Sequence, residues 1–158
     1  MKNIIFDLGG VLILWDPDIV YKKHFAGDSG KISRFYEETR IYEVNAQMDR
    51  GKAFQEALTE LSNKFPHYHT PIHLWNTQWL DMINGQIEGS VKILESLHSQ
   101  GYPLYALTNW AAEKFYPHIR HNYKFLNLFK DIVVSADEKI IKPESEIYEL
   151  LLRRNKLD

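Results

Sequence analysis

The sequence predicts an α/β fold: a parallel sheet covered by helices, with a helical insert after the first strand. Three observations support this. Ile4-Ile5-Phe6 is a short apolar run that stops at Asp7 and is followed by the breakers Gly9 and Gly10. A buried parallel strand reads this way when it ends in a loop at its C-terminal edge. From residue 86 onward helix-like and strand-like stretches alternate, which is the pattern of a parallel sheet with crossover helices. Between them, residues 15–85 show helical spacing and no convincing alternating strand.

Taken in order, the first strand is followed by the insert. Its clearest helix is marked by Phe54, Ala57, Leu58 and Leu61, and Trp75 and Trp79 are a helical turn apart. Both tryptophans are expected in the core of the insert. Val91, Leu94, Leu97 and His98 mark one face of the next helix, and Gly101 suits its stop. Tyr102 to Leu107 is the second strand, ending at Thr108-Asn109. A helix begins near Ala111, and Pro117 ends or kinks it. Asp131 to Ser135 is the third strand. After Lys142, Pro143 fits the first turn of a last helix, with Glu144 and Glu146 complementing its dipole. Ile147, Leu150 and Leu151 form its apolar face.

Composition narrows the function. The chain has 158 residues, 44% hydrophobic and 25% charged, with a net charge of -2. These are globular proportions, and neither the net charge nor any basic run offers a footprint for nucleic acid. No stretch approaches the roughly 20 continuous apolar residues of a membrane span. Cysteine is absent, which excludes disulfides, thiolate zinc sites and cysteine catalysis. Asp7 arrives too early for a signal peptide, so a cytoplasmic location is the expectation.

Three polar positions stand where strands end or a helix begins: Asp7, Thr108-Asn109 and Lys142. The carboxyl ends of strands in an open parallel sheet form the ligand crevice, so these positions can converge. A carboxylate there can attack phosphorus or an activated carbon and form a covalent intermediate. A hydroxyl and a lysine beside it can hold the anion and offset charge.

Phe6-Asp7-Leu8-Gly9-Gly10-Val11-Leu12, Leu107-Thr108-Asn109-Trp110 and Ile141-Lys142-Pro143-Glu144 resemble, in order and spacing, the first three motifs of the haloacid dehalogenase superfamily. The resemblance implies a Rossmann-like parallel sheet from residues 1–14 and 86–158, and a helical cap at 15–85. It implies a magnesium-dependent phosphatase with Asp7 as nucleophile. Magnesium would take an Asp7 oxygen and the Gly9 carbonyl. Thr108, with the backbone at Asn109, would bind the transferring phosphoryl group, and Lys142 would neutralise charge. The partner is a small phosphorylated molecule, with Trp15 and Trp110 expected to line its pocket; nucleic acid and membrane are not expected. Oligomeric state has no signature in the chain.

Two departures qualify this. Many family phosphatases carry an acid two positions after the nucleophile, where this chain has Gly9. General acid help is typically worth about 10²–10⁴-fold, so an ester with a good leaving group is favoured, and Asp16 is a candidate substitute. A fourth, acidic motif is expected some way after the lysine, and Asp158 follows no apolar strand. That predicts a longer parent protein and weak or absent activity of the chain as written. The rival readings are a 2-haloacid dehalogenase, for which Arg40 and Arg50 are the candidates to receive a substrate carboxylate, and a non-catalytic relative that binds a phosphometabolite. A phospho-accepting receiver fits poorly, because no acidic pair precedes Asp7. His67, His69 and His73 read as a solvated loop, and Asp137 and Glu138 as capping or surface groups.

Overall fold

The computed structural model describes residues 2–157. Strand β1 (Ile4–Phe6) runs into a tight turn in which Gly10 takes φ +75° and its amide donates to Ile13 O at 2.9 Å. A side chain is disfavoured at that φ, which accounts for a glycine there. β2 (Ile13–Trp15) follows, and then five helices: α1 (Asp18–His24), α2 (Ser29–Thr39), α3 (Ile41–Asp49), α4 (Phe54–Lys64) and α5 (His69–Thr77). Asp28 caps α2 by accepting from the Lys31 amide at 3.0 Å. On α4 the spacing of Phe54, Ala57, Leu58 and Leu61 puts all four on one buried face, as expected for an amphipathic helix. A 3₁₀ turn at Trp79–Met82 leads into β3 (Ile83–Gln86).

The absence of strands within 15–85 is corrected here: β2 and β3 pair antiparallel, Ile13 opposite Gln86 and Trp15 opposite Ile83. They flank the helical insert as a short ribbon, too brief to show a period in sequence.

The remainder alternates. Helix α6 (Glu88–Ser99) buries Val91 and Leu94, and Gly101 follows it at φ +82°. β4 (Leu104–Thr108) starts two residues later than expected, after Pro103, which has no amide to give a ladder. Helix α7 (Ala112–Lys114) gives way to a wide π-type turn at Phe115–Ile119 containing Pro117, the expected interruption. β5 (Asp131–Val134) is followed by α8 (Ser135–Glu138) and α9 (Ser145–Asn155). Pro143 is not in the first turn of α9, and Glu144 occupies its N-cap position. The cause is tertiary: the Asn109 side chain holds both backbone groups of Lys142, and Arg50 engages Glu144.

The sheet order is β1-β4-β5, all parallel, with Phe6 opposite Ala106 and Thr108 opposite Val134. Every residue of β4 is buried, as in a central strand covered on both faces. Tyr105 and Leu107 meet Ile147 and Leu151 of α9 on one face. Leu104 and Ala106 face a larger cluster that runs without a break into the insert, through Leu8, Leu12, Tyr21, Phe35 and Trp75. Sheet and insert therefore share one apolar core. No described helix is long and apolar enough to cross a membrane.

Candidate active site

The parallel register brings three strand tips to one edge. Asp7 is the first residue past β1, Thr108 the last of β4 and Ser135 the first past β5. The ligand crevice of an open parallel sheet lies at this edge. A cleft of about 210 Å³ opens there, lined by Asp7, Gly9, Trp15, Asn109, Trp110 and Lys142. Its far wall comes from the insert: Asn45, Asp49, Phe54 and Trp79.

Asp7 is held firmly. Its Oδ1 accepts from the Leu8 amide at 2.7 Å and from Lys142 Nζ at 2.8 Å. Lys142 Nζ also donates to Leu107 O at 2.8 Å, so the ammonium sits between the ends of β1 and β4. Asn109 fixes the lysine's own backbone: its Nδ2 donates to Lys142 O at 3.0 Å and its Oδ1 accepts from Lys142 N at 2.8 Å. Two loops far apart in sequence are thereby locked into one frame. The Lys142–Asp7 bond, between two ionised groups, is the charge-assisted one and is correspondingly short.

Thr108 does not line the cleft. It is 1% exposed, and its Oγ1 has no hydrogen-bond partner among the described residues. Buried hydroxyls are nearly always paired, so this orphan at a strand tip is unusual. Trp15 and Trp110 both reach the cleft as expected. Trp15 also packs edge-on against Trp75, with ring centroids 5.9 Å apart, and Trp110 lies 6.0 Å from Trp79. A Cβ on Gly9 would lie 3.7 Å from the Trp110 ring, in ordinary van der Waals contact with it.

Gly9 and Asp7 offer hard oxygen donors, a backbone carbonyl and a carboxylate. Magnesium needs few protein ligands, because waters and substrate phosphate oxygens complete its shell. The pair fits that ion as a partial site. No group of three or more metal-capable side chains gathers among the described residues.

Several other candidates fall elsewhere. Asp16 is exposed and accepts from the Asp18 amide at 2.9 Å, outside the cleft lining. Arg40 pairs with Glu43 on the insert surface. Arg50 forms a forked pair with Glu144, Nη1 to Oε2 at 3.0 Å, and holds that carboxyl below its usual range. Tyr116 donates to Asp137, and Arg154 engages Glu138 at 3.1 Å. His67 lies in a 3₁₀ turn and His69 and His73 on α5 rather than in a loop, the last two with rings 4.5 Å apart.

Sequence reasoning missed Asn45, Asp49, Phe54 and Trp79 as wall residues, and Ser135 as a joint. Ser135 Oγ accepts from the Trp110 amide at 3.0 Å and donates to Asp49 O at 2.6 Å. Asp49 ends α3, Asn45 Nδ2 donates to its Oδ2 at 2.9 Å, and Asn45 is itself fixed by Trp75 Nε1 at 2.9 Å. Burial pushes the Asp49 carboxyl up to about 7, with the facing Ala111 amide pulling weakly the other way.

The chain resembles known proteins along its whole length. The family model for haloacid dehalogenase-like hydrolases matches residues 1–158. A sesquiterpene phosphatase of Aspergillus oryzae is 29% identical over 154 residues, covering 97% of this chain and 74% of that protein. A HAD family enzyme from Bacteroides thetaiotaomicron, solved as a complex with magnesium and inorganic phosphate, superposes with a TM-score of 0.66 at 20% identity, over 100% of this chain and 80% of that one. The L-2-haloacid dehalogenase of Xanthobacter autotrophicus superposes with a TM-score of 0.62 at 13% identity, over 100% of this chain and 66% of that one. At such identities the two structures speak for the fold alone. With the family model spanning every residue, the chain belongs to the haloacid dehalogenase-like hydrolases.

Proposed function

We propose that the protein is a magnesium-dependent phosphatase of small phosphate monoesters that works through an aspartyl-phosphate on Asp7. The observation that carries this reading is the Lys142–Asp7–Leu8 arrangement at the strand tips, which presents a fixed carboxylate to a half-enclosed cleft. Phosphoryl transfer depends mainly on positioning and on stabilising charge spread over oxygens. An Asp7 oxygen attacks phosphorus, the ester oxygen departs, and water then hydrolyses the acyl phosphate. Lys142 neutralises charge on the nucleophile and the incoming phosphate. Thr108 Oγ1, unpartnered and buried, supplies a hydrogen bond to the phosphoryl group, beside the backbone at Asn109. When bound, magnesium would be held by Asp7 and the Gly9 carbonyl and would offset negative charge on the phosphoryl oxygens.

The insert, residues 15–85, serves as the cap over a core built from 1–14 and 86–158. Its Trp15, Phe54 and Trp79, with Trp110 from the core, make the walls largely aromatic. Aromatic faces favour an ester whose alcohol is apolar, and the likeness to a sesquiterpene phosphatase supports that class.

The 2-haloacid dehalogenase reading uses the same Asp7 and needs an arginine for the substrate carboxylate. No arginine lines the cleft among the described residues, and both candidates are engaged elsewhere. The phosphatase reading is therefore preferred. It is tested by phosphate release from p-nitrophenyl phosphate with and without magnesium, beside Asp7→Asn. Metal-dependent release abolished by the substitution is expected. Release that survives Asp7→Asn, or that is indifferent to magnesium, would refute the proposal.

A further inference from the structure

We propose that Asp49, contributed by the insert, is the proton donor to the leaving oxygen and afterwards the proton acceptor from the hydrolytic water. The assignment rests on the phosphatase reading above and extends it to a residue outside the three sequence motifs.

An alkoxide is a poor leaving group, so cleavage of an alkyl phosphate needs a proton delivered as the P–O bond breaks. Among the described residues, the acidic and basic side chains that line the cleft are Asp7, Lys142 and Asp49. Asp7 is the nucleophile and Lys142 is bound to it. Position 9 is glycine, and the Trp110 ring lies against the place its Cβ would take. Asp49 is the remaining acid, and it faces the cleft from the opposite wall.

Its placement is enforced at several points. Asn45 and, behind it, Trp75 hold the carboxyl from the insert side. Ser135 ties the Asp49 carbonyl to the loop that carries Asn109 and Trp110. The side chain forms no salt bridge among the described residues. Of the cations next to Asp49 in the chain, Arg50 pairs with Glu144 and Lys52 with Glu56 and Glu60, while Lys139, beside Gly51, forms no salt bridge among the described residues. A shielded carboxyl without a cation keeps its proton toward neutral pH, and its carboxyl is accordingly raised to about 7. Asp7 and Lys142 are the charged groups facing it across the cleft, and it forms no described bond to Asp7 or Gly9.

The step balances. Asp7 Oδ forms a bond to phosphorus as the bond from phosphorus to the ester oxygen breaks, and that oxygen takes the Asp49 proton to leave as the alcohol. Asp49, now a carboxylate, takes a proton from the water that attacks the aspartyl-phosphate. Inorganic phosphate and both original side-chain states result.

The test compares kcat/KM of the full chain, Asp49→Asn and Asp7→Asn with magnesium, on p-nitrophenyl phosphate and on benzyl phosphate. The phenolate leaves without a proton and the benzyl alkoxide does not. This parameter reports the first chemical half and is blind to the water step. Asp49→Asn is expected to lower it roughly 10²–10⁴-fold on the benzyl ester and less than about 10-fold on the aryl ester. The alkaline limb of the benzyl pH profile should disappear with it. Equal losses on both esters would overturn the proton-donor role and leave the phosphatase reading standing. Turnover retained by Asp7→Asn would overturn both.

Discussion

Asp49→Asn should alter stability in a pH-dependent way, whatever the substrate. A carboxyl raised to about 7 in the folded chain, against about 3.9 in an unfolded one, disfavours its folded anion by about 4 kcal/mol in the fully shielded limit. Asp49 keeps partial contact with the cleft, so solvent screening reduces this to about 1–2 kcal/mol. The sign follows from proton counts. Between the two values the folded chain binds more protons than the unfolded chain, so this group's contribution falls as pH rises. Its penalty is absent below the unfolded value and complete above about 7. Asparagine does not titrate there, and its amide oxygen can still accept from Asn45. Urea denaturation of both proteins at about pH 5 and about pH 8, without metal or phosphate, isolates the effect from any packing change. Part of the penalty already acts at about pH 5, so Asp49→Asn should gain up to about 1 kcal/mol on the natural chain between those conditions. A difference that stays flat, or moves the other way, would show that Asp49 is an ordinary ionised carboxylate and that burial does not govern it.

Thr108→Val removes the orphan hydroxyl at nearly constant shape. Stability by urea denaturation should be unchanged or higher by up to about 1 kcal/mol, while inorganic phosphate binding by calorimetry weakens. Lys142→Met deprives Asp7 of its cation and should cost about 2.7–4 kcal/mol of transition-state stabilisation, read as a fall in kcat. Gly51→Ala places a Cβ 3.0 Å from Ala136 O at φ +99°, and a loss of about 1–3 kcal/mol is expected in the denaturation midpoint.

The sheet was readable where chemistry and pattern coincide. Thr108 marks the end of the buried strand β4 at the cleft, and Asp7 the end of β1, but β1 is an edge strand and not the buried one its apolar run suggested: Ile4 and Phe6 are half-buried and Ile5 is 43% exposed. The ribbon was not readable. Ile13–Trp15 and Ile83–Gln86 hold three and four residues, and Asn84-Gly85 interrupts any alternation. Their pairing across the whole insert is a tertiary fact. Pro143 misled because helix-start rules are local, whereas Asn109 and Arg50 fix that segment from elsewhere. Asp49 left no trace for a similar reason. An aspartate at the end of a helix next to an arginine reads as a solvated surface, and only the fold removes the water and turns the arginine toward Glu144.

The joint at Ser135 separates what can vary from what cannot. Asp49 belongs to the insert by sequence, yet its carbonyl is fastened to the core beside the tips of β4 and β5, with Arg50 and Gly51 fitted tightly behind it. Among the described residues, the side chains of Trp15, Phe54 and Trp79 form no hydrogen bond to the strand-tip loops, and Trp79 only packs on Trp110. Redesign of the pocket for bulkier or slimmer alcohols can therefore proceed at those three walls, while the spacing between the two carboxylates stays set by the frame.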